Sequence, residues 1–242
     1  MLKTVTPIDN SILVERKYAT DAEIDIALQN AYESRKKWKE TSLSERKEVV
    51  RNFVKCFLSN STEIVENLCK QIGRPISQCP GEMRGFEERA NYMIDNADRA
   101  LEDVVSRKDN EFDNYIKKEP LGTIFVIAPW NYPFNTSVNS IVPSLLSGNT
   151  VILKHSSQTP LCAEQLFDAA TKAAMPKNIF QFLHLDHSST SKVISDYRIN
   201  HVLFTGSVSG GKEIKKSIGT RFIGAGLELG GKDPAYVRND CN

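Results

Sequence analysis

The stretch LGTIFVIAPWNYPFNTSVNSIVPSLLSGNTVILK, residues 121–154, decides the fold. Thr123 to Ala128 is a short, unbroken apolar run closed by Pro129, which is the pattern of a buried strand. Phe134 to Leu146 has helical character, and Gly148 stands just past its end. Thr150 to Lys154 is a second apolar strand. Two buried strands joined by a helix form a parallel pair, and a parallel sheet needs cover on both faces.

The alternation continues downstream. A helix is expected from Leu161 to Ala174, a strand over Ile179–Leu183 and a short helix near Ser189–Asp196. A strand at His201–Thr205 and a helix near Gly211–Ile218 follow, with a fifth strand within Phe222–Leu229. The fold class is α/β: a Rossmann-like parallel sheet with helices on both faces. Ligands of such sheets bind beyond the carboxyl ends of the strands. Trp130, Asn131, Lys154, Gly206 and Ser207 all fall there.

Upstream, residues 1–105 are mostly helical in pattern. Thr20 with Glu23, and Ser42 with Glu45, are capping boxes that satisfy open amides at helix starts. Apolar stripes follow each box, and a third stripe through Ile64, Val65, Leu68 and Ile72 stops at Gly73, with Pro75 beyond. Another helix is expected from about Gly81 to Leu101. Residues 106–119 are polar and charged, a loop or an exposed hairpin. Residues 120–242 form the βα part.

Lys plus Arg is 31 and Asp plus Glu is 30, a net charge of +1. That balance gives no electrostatic reason to expect nucleic acid or an anionic membrane as partner. No apolar run reaches membrane-spanning length, and the first residues lack a signal-peptide core, so a cytoplasmic location is expected. The five cysteines are odd in number and have no Cys-x-x-Cys or Cys/His ligand spacing. Reduced thiols and no metal site are expected.

Several residues carry chemistry, each beside a plainer reading. The turn Gly206-Ser207-Val208-Ser209-Gly210-Gly211 follows a strand and opens a helix, where backbone amides favour an anion. Such turns are also common without any ligand. Lys154 is a cation at a strand's carboxyl end, or simply a solvated strand end. Trp130 alone would be core and Asn131 alone a turn residue. Glu228, between Leu227 and Leu229, reads by itself as a partly buried structural acid paired with a base.

Together, Pro129-Trp130-Asn131-Tyr132-Pro133, Phe204-Thr205-Gly206-Ser207 with Gly211, and Leu227-Glu228-Leu229-Gly230-Gly231-Lys232 resemble the aldehyde dehydrogenase family. The resemblance runs from about Thr20 to Asn242 and matches the coenzyme-binding part. It implies oxidation of a small-molecule aldehyde to a carboxylic acid with NAD or NADP. Asn131 would donate its amide to the oxyanion, a type of contact whose loss costs about 10²–10³ in rate. Glu228 would activate water. Trp130, Asn131, Lys154, Ser157, Gly206, Ser207 and Gly211 would contact the cofactor.

Many NAD-specific members carry a glutamate where this chain has Ser157. A hydroxyl leaves room for a 2′-phosphate and does not repel it, so NADP is favoured. Lys154-His155-Ser156-Ser157 is loosely similar to semialdehyde dehydrogenases. Residues 106–119 match the start of the family's intersubunit hairpin, which implies a homo-oligomer. Asn178 replaces a common glycine, and asparagine tolerates a left-handed backbone.

The family's cysteine nucleophile lies well past the Glu-Leu-Gly-Gly-Lys segment, and only ten residues follow Lys232. Cys241 matches the acidic turn before the nucleophile, and Cys162 has no partner. The polypeptide 1–242 alone is therefore expected to be inactive toward aldehydes and to associate with a C-terminal half. The alternatives are a nucleotide-binding module without catalysis and a non-functional truncated remnant.

Overall fold

A computed structural model describes residues 1–108, 111–219, 221–231 and 233–241. The chain opens with β1 (Leu2–Val5) and β2 (Ile12–Arg16), an antiparallel hairpin that the sequence pattern does not announce. The helices α1 (Asp21–Glu40), α2 (Leu43–Leu58), α3 (Ser61–Ile72) and α4 (Pro80–Leu101) follow. Both capping boxes form: Thr20 and Ser42 accept from the third helical amide, and Glu23 and Glu45 reach back to the cap. Helix α3 ends on Gly73 at φ +70°, a left-handed cap suited to glycine. The polar stretch is a hairpin of β3 (Val104–Lys108) and β4 (Asp113–Ile116), exposed along its length.

The remaining elements are β5 (Thr123–Ile127), α5 (Pro133–Leu146), β6 (Thr150–Lys154), α6 (Pro160–Lys172) and β7 (Phe180–Phe182). They are followed by α7 (His187–Ser195), β8 (His201–Gly206), α8 (Val208–Ile218) and β9 (Gly224–Leu229). The five strands form one parallel sheet in the order β7-β6-β5-β8-β9. Helix α8 starts earlier than the sequence pattern suggests, because the Ser207 hydroxyl accepts from the Gly210 amide at 3.0 Å and caps it.

Successive residues of a strand point to opposite faces. Ile124, Val126, Val151 and Leu153 thus pack under α2, α4, α5 and α6, while Phe125, Ile127 and Ile152 pack against α1, α7 and α8. The first layer is anchored by Phe57, whose ring centroid lies 4.3 Å from that of Phe86 and 5.1 Å from that of Phe134. Strand order reverses between β5 and β8, since β6 and β7 lie on one side of β5 and β8 and β9 on the other. The carboxyl ends of β5 and β8 diverge there and open a cleft.

Candidate functional site

The cleft encloses about 900 Å³. Its walls include Trp130 and Asn131 after β5, Lys154 and Ser157 after β6, Gly206 and Ser207 after β8, and Glu228 on β9. These residues lie up to 98 positions apart in sequence, and the sheet's parallel register gathers them: Ile127 pairs with Lys154 and with Phe204, and Thr205 with Glu228.

The Trp130–Tyr132 turn is held from below. Asn131 accepts from Arg74 through its backbone carbonyl, and the Arg74 guanidinium sits 4.5 Å from the centre of the Tyr132 ring. Arg74 also pairs with Glu82, whose side chain is fully buried. The other oxygen of Glu82 accepts from the Phe134 and Asn135 amides at 2.8 and 3.2 Å. No side chain at Tyr132 caps α5. A carboxylate from α4 therefore satisfies the open amides of α5. The Asn131 side chain has a defined sense. Its Oδ1 accepts from the Tyr132 amide at 3.1 Å, and no described residue accepts from its Nδ2. An N–H group remains to donate into the cleft.

Lys154 is partly buried, and burial pushes its ammonium below the usual lysine range. No acid among the described residues pairs with it. His155 next to it is buried, and Ser156 donates its amide to Nδ1 at 3.1 Å. Nδ1 is thereby an acceptor, so Nε2 carries the proton and faces the Pro133 carbonyl at 3.4 Å. The ring ties the β6–α6 turn to the start of α5. Burial is the main reason its pKa falls to about 3.

The glycines after β8 have an internal cause. A Cβ on Gly206 would meet the Phe204 ring at 2.6 Å, and one on Gly210 at 2.7 Å, so the turn is folded over that ring. Gly211 does not line the cleft. It is buried under β9, where a Cβ would meet Leu229 at 2.6 Å, and its role is close helix–strand packing. Glu228 is exposed, contrary to the expected partial burial, because β9 is the outer strand of the sheet. Gly230, at φ +69°, turns the chain after β9 and donates to the Gly206 carbonyl at 3.0 Å. Lys232 and Asn242 lie outside the described residues. Asn178 adopts φ +67°, the left-handed conformation that the sequence comparison allows for.

Sequence reasoning missed one wall. Ser209, Glu213 and Ser217 of α8, with His187 and Ser191 of α7, face the cleft. Their spacing of four is the available signal, a polar stripe on one helix face. Arg74 and Glu82 were also missed, since isolated charges read as surface. The described cysteines do not line the cleft. Burial pushes the Cys162 thiol well up, and Cys241 is exposed near residue 238. Among the described residues no helix is long and apolar enough to cross a membrane, and no group of three His, Cys, Asp or Glu is placed to hold a metal ion.

Known proteins bear on this cleft. The sequence model of the aldehyde dehydrogenase family matches residues 1–242. This chain belongs to the aldehyde dehydrogenase family. It is 30% identical over 239 residues to the NAD(P)+ succinate semialdehyde dehydrogenase Sad of Escherichia coli strain K12, covering 99% of this chain and 52% of that protein. It is 28% identical to the NADP+ D-glyceraldehyde dehydrogenase of Picrophilus torridus, covering 100% of this chain and 49% of that one. The crystal structure of succinic semialdehyde dehydrogenase from Streptococcus pyogenes, in complex with NADP+, superposes with a TM-score of 0.90 at 27% identity, over 96% of this chain and 51% of that chain. The chain thus spans about half the length of the aldehyde dehydrogenases it matches. The matched portion is an aldehyde dehydrogenase Rossmann-type domain, with its cleft at the point where strand order reverses.

Proposed function

We propose that this chain supplies the coenzyme site, the oxyanion donor and the general base of an NAD(P)-dependent aldehyde dehydrogenase, a cytoplasmic enzyme acting on a small semialdehyde. The observation that carries the reading is the cleft itself. An unpaired, partly buried lysine, a helix N-terminus and an unpartnered amide N–H share one cavity with a glutamate.

The residues fit a dinucleotide. Lys154 and Ser157 offer a cation and a hydroxyl where an adenosine ribose and a 2′-phosphate need them. The turn from Gly206 to Ser209 presents backbone amides at the start of α8 to a pyrophosphate. NADP is the favoured cofactor, because the β6–α6 turn places a lysine and a serine, and no carboxylate, on the cleft wall. The cofactor, when bound, supplies the hydride acceptor. Asn131 Nδ2 donates to an oxygen that gains charge as a thiolate adds to an aldehyde, and Glu228 takes a proton from the water that releases the acid.

Residues 1–105 and 120–242 form the coenzyme domain in this reading, and the 106–119 hairpin serves a homo-oligomer. Tyr115 and Ile116 are exposed on it. Phe222 before β9, and Tyr236 and Val237 after it in sequence, are exposed apolar side chains that a second half of the enzyme would cover.

Titration of the purified chain with each cofactor tests the reading. NADP is expected to bind more tightly than NAD. Lys154→Met is expected to weaken NADP about tenfold, the scale of one charge-assisted contact. An NADP affinity far below that of NAD removes the NADP preference. A narrower reading, binding without chemistry, applies to the polypeptide 1–242 alone, because none of its described cysteines lines the cleft. Aldehyde turnover by residues 1–242 should not exceed that of their Glu228→Gln variant, and a clear excess would refute this.

A further inference from the structure

The β6–α6 turn is braced by the other end of the chain. Thr4 of β1 has no exposed surface, and its hydroxyl donates to the Ser157 carbonyl at 2.8 Å. The neighbouring Gln158 side chain donates to the Val5 carbonyl at 3.1 Å and to the Gln71 carbonyl at 2.5 Å. Gln71 is itself buried and accepts from the Leu161 amide at 3.0 Å. The hairpin is seated on its far side too, since Pro7 fills the space where a Cβ on Gly73 would stand. Leu2 and Val14 of its two strands are themselves buried.

Ser157 is exposed to the cleft and lies three residues after Lys154. The bond to its carbonyl fixes the peptide plane that follows it, and so steadies the backbone that carries its side chain. A buried threonine, 153 residues away in sequence, thus holds the residue that the cofactor reading sets against a 2′-phosphate.

We infer that Thr4 is a positioning residue for cofactor discrimination, and that the N-terminal hairpin sets the ratio of NADP to NAD affinity through Ser157. This rests on the cofactor reading above. Without the Thr4 hydroxyl, the Ser157 carbonyl loses a buried donor and the turn relaxes toward solvent. The adenosine ribose contact at Lys154 survives this change, whereas a contact made by Ser157 to a 2′-phosphate does not. The two cofactors therefore respond differently. A role in folding alone would weaken both together.

The test is calorimetric titration of the full chain with NADP, NAD and 2′-phosphoadenosine 5′-phosphate. Thr4→Val, nearly isosteric, is expected to weaken NADP and the phosphoadenosine about three- to tenfold, the scale of one hydrogen bond. NAD should change less than about twofold on the same scale, and Thr4→Ser should restore the parent values. Gln158→Met removes the second brace without touching Thr4, and should lower the same ratio should Thr4→Val fold poorly. An unchanged NADP-to-NAD ratio in both variants overturns the inference, whether both affinities fall together or neither moves. The parent protein decides the cofactor reading separately: a preference for NAD overturns that reading, while the effect of Thr4 on the ratio is still measured.

Discussion

Glu82→Ala is expected to lower the unfolding free energy by about 3–5 kcal/mol, the cost typical of removing one partner from a buried ion pair. Glu82 is only 2% exposed, and three donors converge on it: the Arg74 guanidinium and the Phe134 and Asn135 amides. Alanine leaves a largely buried guanidinium without its anion and two helix-start amides without an acceptor. Glu82→Gln keeps one carbonyl oxygen for the amides and should cost less. Arg74→Met combined with Glu82→Gln should cost less than the two single changes summed, since the double variant leaves no charge unpaired. Urea unfolding followed by circular dichroism measures all four. A loss below about 1 kcal/mol for Glu82→Ala, the scale of an exposed pair, would show that the pair is solvated and does not hold the Asn131 turn.

Stability should also fall as the pH drops from about 6.5 toward 3, with His155 a main contributor. In the fold its pKa is about 3, chiefly through burial, with smaller contributions from Lys154 and His184 that act in the same direction. Donation to the Pro133 carbonyl opposes them. In the unfolded chain the ring titrates near 6.5. The sign follows from proton counting. Above 6.5 both states hold a neutral ring, and the stability is fully present. Between 6.5 and 3 only the unfolded state binds the proton, so each pH unit removes about 1.4 kcal/mol. Carboxylates titrate in the lower part of this window, so the difference from His155→Gln isolates the ring. Glutamine can still donate to the Pro133 carbonyl and has no proton to gain. Equal slopes for parent and variant between pH 6.5 and 5 would place the ring in contact with solvent.

The sheet was legible because β5 and β6 are continuous apolar runs, and buried parallel strands have that appearance in any sequence. The helix starts at Thr20 and Ser42 were legible because a capping box is local chemistry. The β1–β2 hairpin was not, since its strands are four and five residues long and its anchors lie at Gly73 and Ser157. Long-range seating leaves little mark on a short strand. In the cleft, the residues at strand ends from Trp130 to Ser207 were foreseeable from sheet topology alone, whereas Glu228 was singled out by the family resemblance. Gly211 was not separable from its neighbours. A glycine opening a helix looks the same whether it faces a phosphate or, as here, a leucine on the adjoining strand. Glu82 escaped notice because the amides it accepts from arrive from α5, and Arg74 because its partners are Glu82 and the Asn131 turn.

The strand order also sets a timetable for synthesis. Chains emerge amino end first and fold as they emerge. The central strand β5 is made first of the five, and β6 and β7 then extend the sheet on one side, backed by helices already translated. At that stage the nascent protein has a half-sheet with one flank of the cleft. The opposite flank, from Gly206 to Gly230, emerges only after all of these segments. A ligand that must touch both flanks has nothing to bind until β8 has joined β5 and β9 has joined β8. Its stabilising effect, which requires a formed site, is therefore withheld from every shorter intermediate and given only to the finished sheet. A nucleotide in such a cleft would mark the completed cleft, telling the assembled sheet from its own shorter precursors.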